Sequence, residues 1–548
     1  MKQDRVNQRA ELHKTIWSIA DDLRGSVDGW DFKSYILGML FYRYISENLA
    51  STINSMQRAA GIDNFSYADL PDETAEGARA VMLEEKGFYI LPSQLFENVL
   101  KEAERKEAQD SQQTVSVDKE LSEAESDNGL NVALYNAFKA IEDSCKGTPS
   151  EDDFSGLFDD IDVNSRKLGG TTKECNKKLL QIMQKIGSLD LGNFEDNTID
   201  AFGDAYEFLM AMYASNAGKS GGEYFTPQEV SELLARIVIG NKEQVEDVYD
   251  PACGSGSLLL KFAKLLGKDN VKKGFYGQEF NITTYNLCRI NMFLHNINFN
   301  KFDIARGDTL IHPQHNDVAI EHDGFECIVS NPPYSTKWIG QDDPTLINDP
   351  RFAPAGKLAP KSKADLAFTM HMLSYLSENG AAAIVEFPGV MYRGGAEKKI
   401  RQYLVDNNFV DCIIQLPDNL FFGTSIATCI IVLKKNKQDT SVLFIDASKE
   451  FVKVTNNNKL SDENIKTIVS AYQNKENIKH FAKLASQDDI KEEDYNLSVN
   501  MYVEPEDLTE KIDIDELNAN IKEIVAREEV LRREIDKIIA EIEGGKDE

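Results

Sequence analysis

From Gln8 to Ser55 apolar residues recur at helical spacing, first Leu12, Ile16, Ile19 and Leu23, then Tyr35, Leu37, Leu40, Phe41, Tyr44 and Ile45, with breaks near Gly25 and Gly29. The same period returns through Leu130–Ile141 and Cys175–Ile186, so residues 1–195 are expected to form a packed all-α N-terminal domain. Within it, residues 101–129 hold Glu, Lys, Ser, Gln and Asp with hardly an apolar side chain, which predicts an exposed or mobile connection. Asn197–Ser215 differs: Phe202, Tyr206, Phe208, Leu209, Met210, Met212 and Tyr213 cover most of a helix circumference, as in a buried helix.

Residues 196–475 alternate between two periods. Val248–Asp250, Phe275–Gln278, Cys327–Ser330, Ala381–Phe387, Val410–Leu416 and Ala427–Leu433 are short apolar runs, and Gln228–Ile239, Leu258–Leu266, Thr283–Leu294, Ala364–Leu376 and Glu397–Val405 are helical stretches. This predicts an α/β fold, a doubly wound Rossmann-like sheet with helices on both faces. Tyr334–Lys363, punctuated by Gly340, Pro344, Pro350, Pro354 and Pro360, is expected to be a structureless substrate loop or lid. Beyond Asp446 the pattern returns to polar helices. Residues 476–548 are expected to be a helical tail, in which Ile514, Leu517, Ile521, Ile524, Leu531, Ile535, Ile538 and Ile542 form a heptad seam with Glu528 at its polar position. So narrow a seam fits a single partner helix better than a globular core.

The strand Cys327–Ser330 runs into Asn331-Pro332-Pro333-Tyr334. Two prolines cannot continue a ladder, so the strand ends with Asn331 at the carboxyl edge, where open α/β sheets bind ligands. The Asn331 side-chain oxygen and the Pro332 carbonyl are both acceptors and can fork one NH2 group, while Tyr334 offers an aromatic face to a planar ring. Holding both hydrogens of a conjugated amine favours a pyramidal nitrogen with its lone pair aimed at an electrophile, without a metal or a strong base. The plain alternative is a Pro-rich turn without chemistry.

The first strand, ending at Asp250, opens through Pro251-Ala252-Cys253-Gly254-Ser255-Gly256-Ser257 into a helix. Gly254 and Gly256 permit a tight turn, but Leu259 stands where a dinucleotide fold has its third glycine, and Asp250 would repel a pyrophosphate. An acid there suits a cationic ligand such as the sulfonium and ammonium end of S-adenosylmethionine. Glu279 closes the next strand, where a carboxylate takes both hydroxyls of a ribose, and Asp308 is a candidate contact to the cofactor's adenine. Taken singly, each acid is more often a cap or a solvated loop residue. Upstream, Gly218-Lys219-Ser220 mimics the end of a P-loop, but Tyr213 occupies the place of its first glycine and a helix precedes it. A Gly221-Gly222 turn presenting Glu223, Tyr224 and Thr226 ahead of a Pro227-started helix reads instead as a loop that closes over a small ligand.

Length and charge add bounds. The chain, at 548 residues, exceeds one ordinary core. Its 60 basic and 91 acidic residues give −31, the wrong sign for holding a phosphate backbone unaided, so a nucleic-acid substrate requires help from another molecule. The seven cysteines are scattered without a C-x-x-C pair, which indicates neither disulfides nor a zinc site and suits a reducing cytoplasm. The polar N-terminus and the short apolar runs predict neither secretion nor membrane insertion.

Taken in order, Gly221 to Pro227, Asp250 to Gly256, Glu279, Asp308 and Asn331 to Tyr334 resemble the gamma-ordered DNA adenine-N6 methyltransferases. More closely, nearly the whole chain resembles the methylation subunit of type I restriction-modification systems, HsdM. The closer likeness is carried by Gly25-Ser-Val-Asp-Gly-Trp30, Phe202-Gly-Asp-Ala-Tyr-Glu-Phe208, Asp343-Pro-Thr-Leu-Ile-Asn348, Tyr392-Arg-Gly-Gly-Ala396 and Leu420-Phe-Phe-Gly423. Residues 101–129 lie outside it, and Cys253 stands in a loop where the family varies. The resemblance implies that Glu223, Tyr224, Phe225, Thr226, Pro227, Gln228, Asp250, Ala252, Cys253, Gly254, Ser255, Gly256, Ser257, Glu279 and Asp308 bind S-adenosyl-L-methionine. It implies that Asn331, Pro332, Pro333 and Tyr334 hold an adenine flipped out of double-stranded DNA. It also implies a separate specificity subunit that reads the DNA, a second copy of the methylation subunit, and, where cleavage is added, a restriction or motor subunit. The acidic charge then fits a division of labour.

Two other readings compete. Asn-Pro-Pro-Tyr also serves glutamine-amide methyltransferases of release factors and some ribosomal RNA methylases, but those chains are generally compact and lack the helical extensions and tail. A non-enzymatic assembly protein built on a dead methyltransferase fold would have a broken site, and every residue the chemistry requires is intact.

Overall fold

In the computed structural model, the residues described are 13–14, 16, 29–113, 129–191, 201–216, 226–421, 424–454, 457–505 and 514–544. The chain divides into two compact units, Met1–Val503 and Glu504–Glu548.

The first unit begins with helices α1 (Gly29–Ala59), α2 (Phe96–Gln113), α3 (Leu130–Ser144), α4 (Thr172–Gly187) and α5 (Ala201–Asn216). Leu40, Phe41 and Ile45 of α1 are fully buried, and α4 starts at a capping box between Thr171 and Glu174. Residues 101–109 are largely exposed, as expected, but residues 101–113 are helical, the outer turns of α2. Glu, Lys, Arg, Ala and Gln are good helix formers, and Lys101–Glu97 (3.2 Å) and Arg105–Glu102 (2.7 Å) pair along the solvent face. Residues 114–128 lie outside the described residues.

Among the described residues, nine strands form the main sheet: β1 (Val245–Asp250), β2 (Val271–Glu279), β3 (Phe302–Arg306), β4 (Phe325–Ser330), β5 (Leu376–Glu386), β6 (Val410–Gln415), β7 (Cys429–Leu433), β8 (Val442–Asp446) and, beyond a hairpin of β9 (Val452–Val454) and β10 (Asn457–Lys459), β11 (Ala482–Ala485). Their order is β11-β8-β6-β7-β5-β4-β1-β2-β3. β1 pairs in parallel with β2 and β4, β2 with β3 and β4 with β5, whereas β7 inserts antiparallel between β5 and β6. The chain leaves β1 toward β3, then returns to start β4 on the other side of β1. That reversal is a topological switch point, and it opens a crevice at the carboxyl ends of β1 and β4.

Both faces of the sheet are covered, as the alternation along each strand requires. In β5, Ala381, Ala383 and Val385 enter one core while Ala382 and Ile384 enter the other. The first core takes α6 (Gln228–Ile239), α7 (Ser257–Leu266) and α8 (Ile282–Leu294); the second takes α9 (Asp365–Tyr375) and α10 (Ala396–Asp406). The N-terminal helices share the first core: Phe41 and Phe154 meet Phe293 of α8 with ring centroids 6.1 and 4.7 Å apart. Arg289 of α8, 1% exposed, donates to the carbonyls of Asp152 (2.8 Å) and Ser155 (3.1 Å).

Two further expectations are corrected. Tyr334–Lys363 is not structureless: three 3-10 turns, Gly340–Asp342, Leu346–Asn348 and Ala353–Ala355, fold it over the second core, where Trp338, Leu346, Phe352, Leu358 and Ala359 are buried. Proline and glycine break the helical period without preventing burial. Past Asp446 the chain forms strands as well as the helix α11 (Asp462–Asn474). β11 pairs antiparallel with β8, so residues 476–503, expected with the tail, carry an edge of the sheet and belong to the first unit. The four residues of β11 are too few to show a period. The second unit contains α12 (Ile514–Gly544), whose seam residues are exposed, from 47% at Leu517 to 69% at Ile514. No helix among the described residues is long and apolar enough to cross a membrane.

Candidate active site

Asp250 ends β1 and Ser330 ends β4, its parallel neighbour. Ser330 Oγ donates to Asp250 Oδ1 at 2.9 Å, and the Ala252 N–H donates to the same oxygen at 3.0 Å. Asp250 Oδ2 is buried without a partner among the described residues. Burial raises the carboxyl to about 7 against the opposing pull of those two hydrogen bonds. An unpaired oxygen on a buried carboxyl is costly unless a ligand meets it, and a cation meets it best.

The following turn is shaped by Gly254 (φ +55°) and Gly256 (φ +81°), both left-handed. A Cβ on Gly256 would stand 2.8 Å from Cys288 Sγ, whereas one on Gly254 would meet nothing within 4 Å: the turn closes against α8 on one side and is open on the other. Glu279, at the end of β2, is held across it, accepting from the N–H of Gly254 at 3.0 Å and of Asn281 at 2.8 Å. Burial raises the Glu279 carboxyl, and each of its oxygens keeps a lone pair for a further donor. Asp308, half-exposed beyond β3, accepts from the Leu310 N–H at 3.0 Å, and Thr309 Oγ1 donates to the Pro251 carbonyl at 2.6 Å.

Not every residue of the turn faces the crevice. The Cys253 thiol is buried beside Gly277, where a Cβ would come within 2.9 Å of its Sγ, and beside Cys288, which with burial pushes its pKa well up. Only its backbone belongs to the turn, with the N–H donating to Gln278 O at 3.1 Å and the carbonyl accepting from Gly256 at 2.8 Å. Ser255 and Ser257 are buried, and the Ser255 carbonyl accepts from Asn291 Nδ2 at 2.8 Å.

On the other side of Asp250, Asn331 Nδ2 donates to Thr226 Oγ1 at 3.0 Å and Asn331 Oδ1 accepts from the Tyr334 hydroxyl. These partners fix which way the amide points, and Oδ1 retains a second lone pair. The buried Pro332 carbonyl accepts no hydrogen bond among the described residues; Pro333 is exposed. The Tyr334 ring is half-buried, edge-on to Phe421 with centroids 6.2 Å apart, and burial lifts its hydroxyl well above the usual range, so it is a donor and not a base. Pro227 precedes α6, and both amide atoms of Gln228 are buried without a partner among the described residues. Gly221, Gly222, Glu223, Tyr224 and Phe225 of the expected closing loop lie outside the described residues.

Several residues that support this edge are not apparent in sequence. Buried Arg351 donates to the carbonyls of Thr309 and Leu310 (2.8 Å each) and to Asp349 Oδ2 (2.7 Å), and lies 3.2 Å from His371 Nδ1, whose Nε2 is 3.0 Å from the Tyr249 hydroxyl. Arg351 thereby bolts the segment after Tyr334 onto the exit of β3. Burial first, then Arg351, pushes His371 well below its ordinary value and keeps it neutral. Ser335, at φ +50°, donates its N–H to Asp365 Oδ1 at 3.0 Å. The one signal pointing to Ser330 is its place immediately before Asn331; for Arg351 it is an acid two residues earlier in a Pro-rich stretch.

A switch-point crevice with an acid prepared for a cation, an open glycine turn, and an Asn-Pro-Pro-Tyr fork on the adjoining strand defines the class of S-adenosylmethionine-dependent amino-group methyltransferases. The N-6 DNA Methylase family matches residues 197–511, and the HsdM N-terminal domain matches residues 12–186. The chain is 49% identical to the type I restriction enzyme MpnII methylase subunit of Mycoplasma pneumoniae, over 99% of this chain and 98% of that one. It is 31% identical to the MjaVIII methylase subunit of Methanocaldococcus jannaschii, over 71% and 70% respectively. The crystal structure of the type I restriction-modification methyltransferase subunit from Streptococcus thermophilus superposes with a TM-score of 0.78 at 36% identity, over 90% of this chain and 100% of that one. The chain therefore belongs to the family of type I restriction enzyme methylase subunits, the adenine-N6 DNA methyltransferases. The amide and ribosomal RNA alternatives are set aside by these matches.

Proposed function

We propose that this chain transfers a methyl group from S-adenosyl-L-methionine to N6 of an adenine flipped out of duplex DNA. The observation that carries the reading is the Ser330–Asp250 hydrogen bond, which joins the donor side of the crevice to the fork on the next strand at 2.9 Å. S-adenosylmethionine, when bound, supplies an electrophilic methyl on a sulfonium. The chain's residues fit it: the unpaired oxygen of Asp250 takes the cationic end, the open face of the Gly254 turn admits close approach, and Glu279 takes the ribose hydroxyls, with Asp308 and Thr226–Gln228 bordering the site. Asn331 Oδ1 and the Pro332 carbonyl hold the two hydrogens of the adenine N6 amine, and Tyr334 stacks on the base. We assign residues 1–195 to bracing the first core, 196–503 to the chemistry and 504–548 to partner docking. The relatives are methylase subunits of restriction enzymes, and the assembly suggested for this chain is a specificity subunit with two such subunits, in a cytoplasmic complex that a motor subunit can join. Incubation of the native complex with labelled S-adenosylmethionine and unmethylated duplex DNA tests the reading: N6-methyladenine supports it, and label in protein or ribosomal RNA instead would sink it.

Two further outcomes are expected. Glu279→Ala should weaken S-adenosylmethionine binding by roughly 10- to 100-fold in calorimetry on the isolated chain, because each hydrogen bond to a charged acceptor is worth about 1.5–3 kcal/mol; unchanged affinity would remove the donor assignment. A cation binds only ionised Asp250, so with its carboxyl at about 7 the affinity should fall as pH drops below about 7, approaching ~10-fold per pH unit. Asp250→Asn should bind weakly and flatten that pH dependence; a profile equally steep in the variant would place the titrating group elsewhere.

A further inference from the structure

The segment after Tyr334 closes on itself through a short ladder. Ala364 N–H donates to Thr336 O at 2.8 Å, Trp338 N–H to Lys361 O at 3.1 Å, and Trp338 Nε1 to Pro360 O at 3.1 Å. Buried Trp338 anchors this neck in the second core. The ladder sets Lys337, Lys361 and Lys363 beside one another a few residues from Tyr334, with Lys337 and Lys361 exposed and Lys363 half-exposed. Lys361 is taken up by Asp342, and Lys363 lies near Glu397, whose carboxyl burial raises against the opposing pull of Arg393 and then of Lys363. Lys337 has no ion-pair or hydrogen-bond partner among the described residues.

The loop after β5 adjoins the same neck. α10 packs on the turn Ala353–Ala355, and ahead of α10 stand Tyr392, 58% exposed, and Arg393, which is 3.3 Å from Glu397. An exposed aromatic and these cations thus share one rim, made of the loops after two neighbouring strands, β4, which carries the Asn-Pro-Pro-Tyr fork, and β5. In a chain of net charge −31, a polyanion is repelled by most of the surface and attracted to such a rim. Lys337 follows Tyr334 by three residues and the ladder pairs its stretch with Lys361–Ala364, so these cations stand beside the place where a base on Tyr334 would join its backbone.

We propose that Lys337 and Lys363 hold the phosphates flanking the extruded adenine. The proposal rests on the reading of this site as one for adenine in DNA. Phosphate contacts position a substrate without choosing its sequence, which suits a subunit that leaves sequence choice to a partner. The lysines touch neither the donor nor the reacting nitrogen, so they act on DNA affinity and not on the chemical step.

The test uses the full chain with the subunits that co-purify with it, labelled S-adenosylmethionine and unmethylated duplex DNA. Lys337→Ala/Lys363→Ala is expected to raise the DNA concentration for half-maximal transfer by roughly 10- to 100-fold at about 0.15 M salt, and to make the slope of log affinity against log salt shallower by about 1.8. The rate at saturating DNA and the affinity for S-adenosylmethionine should stay at wild-type values, and arginine at both positions should restore the slope. An unchanged half-saturation and slope overturn the proposal, as does a loss confined to the rate at saturating DNA. A wild-type complex that binds S-adenosylmethionine yet methylates no duplex DNA would overturn the parent reading instead, which separates the two failures.

Discussion

Asn331→Ala is expected to cut methyl transfer by about 10² to 10³ while leaving S-adenosylmethionine affinity nearly intact. Asn331 is already oriented, its amide nitrogen on Thr226 and its oxygen accepting from Tyr334, so the fork needs no rearrangement to receive an amine. Alanine removes the acceptor aimed at one N6 hydrogen, which the transition state needs more than the ground state does, so the loss belongs in kcat. Donor binding should survive because Asp250 keeps Ser330 and Ala252 as partners in the variant. Tyr334 supplies the companion comparison. Phenylalanine there should keep most activity and alanine should not, since the ring stacks and the hydroxyl transfers no proton. The hydroxyl does donate to Asn331, so a phenylalanine variant as dead as the alanine one would show that this bond, and not Thr226 alone, orients the fork. Single-turnover rates at saturating donor and DNA separate these outcomes.

The two junctions that carry the candidate site were legible in the sequence because they are local. Asn331-Pro-Pro-Tyr334 and the turn after Asp250 each sit on one strand-to-loop junction, and an apolar run broken by proline or glycine announces such a junction without knowledge of the neighbours. β3 and β11 were hidden for the opposite reason: they are short, β3 carries Asp303 and Arg306, and their pairing with β2 and β8 is long-range. The antiparallel course of β7 is likewise absent from any period, since strand direction leaves no mark on side-chain alternation. The segment Tyr334–Lys363 misled because its prolines signal a loop, whereas Trp338, Phe352 and the buried Arg351 show it to be packed. Cys253 lends its backbone and its side chain to different sides of the turn, and only Gly277 and Cys288 reveal which side the thiol takes.

Deleting residues 514–548 is expected to abolish partner assembly and DNA methylation while leaving S-adenosylmethionine binding unchanged. The donor-side residues Asp250, Gly254 and Glu279 all lie in the first unit, Met1–Val503, so the truncation removes none of them. What it removes is a 31-residue helix whose seam is open: Ile521, Ile524, Leu531, Ile535, Ile538 and Ile542 are between 49% and 65% exposed. Burying a fully exposed side chain of this size gains about 1.5–3 kcal/mol, and these six are about half covered already, so closing the seam against a second helix amounts to roughly 5–10 kcal/mol before the cost of association. A chain of net charge −31 binds duplex DNA poorly by itself, so losing the DNA-reading partner should remove methylation with it. Glu528 interrupts the seam, and burying it unpaired would cost several kcal/mol, so the partner helix should place a Lys or Arg opposite it. Glu528→Lys should accordingly weaken assembly, and a charge swap on the partner should restore it. If the truncated chain still assembles and methylates at the full rate, docking must run through another surface, and the N-terminal helices α1 to α4 become the place to look.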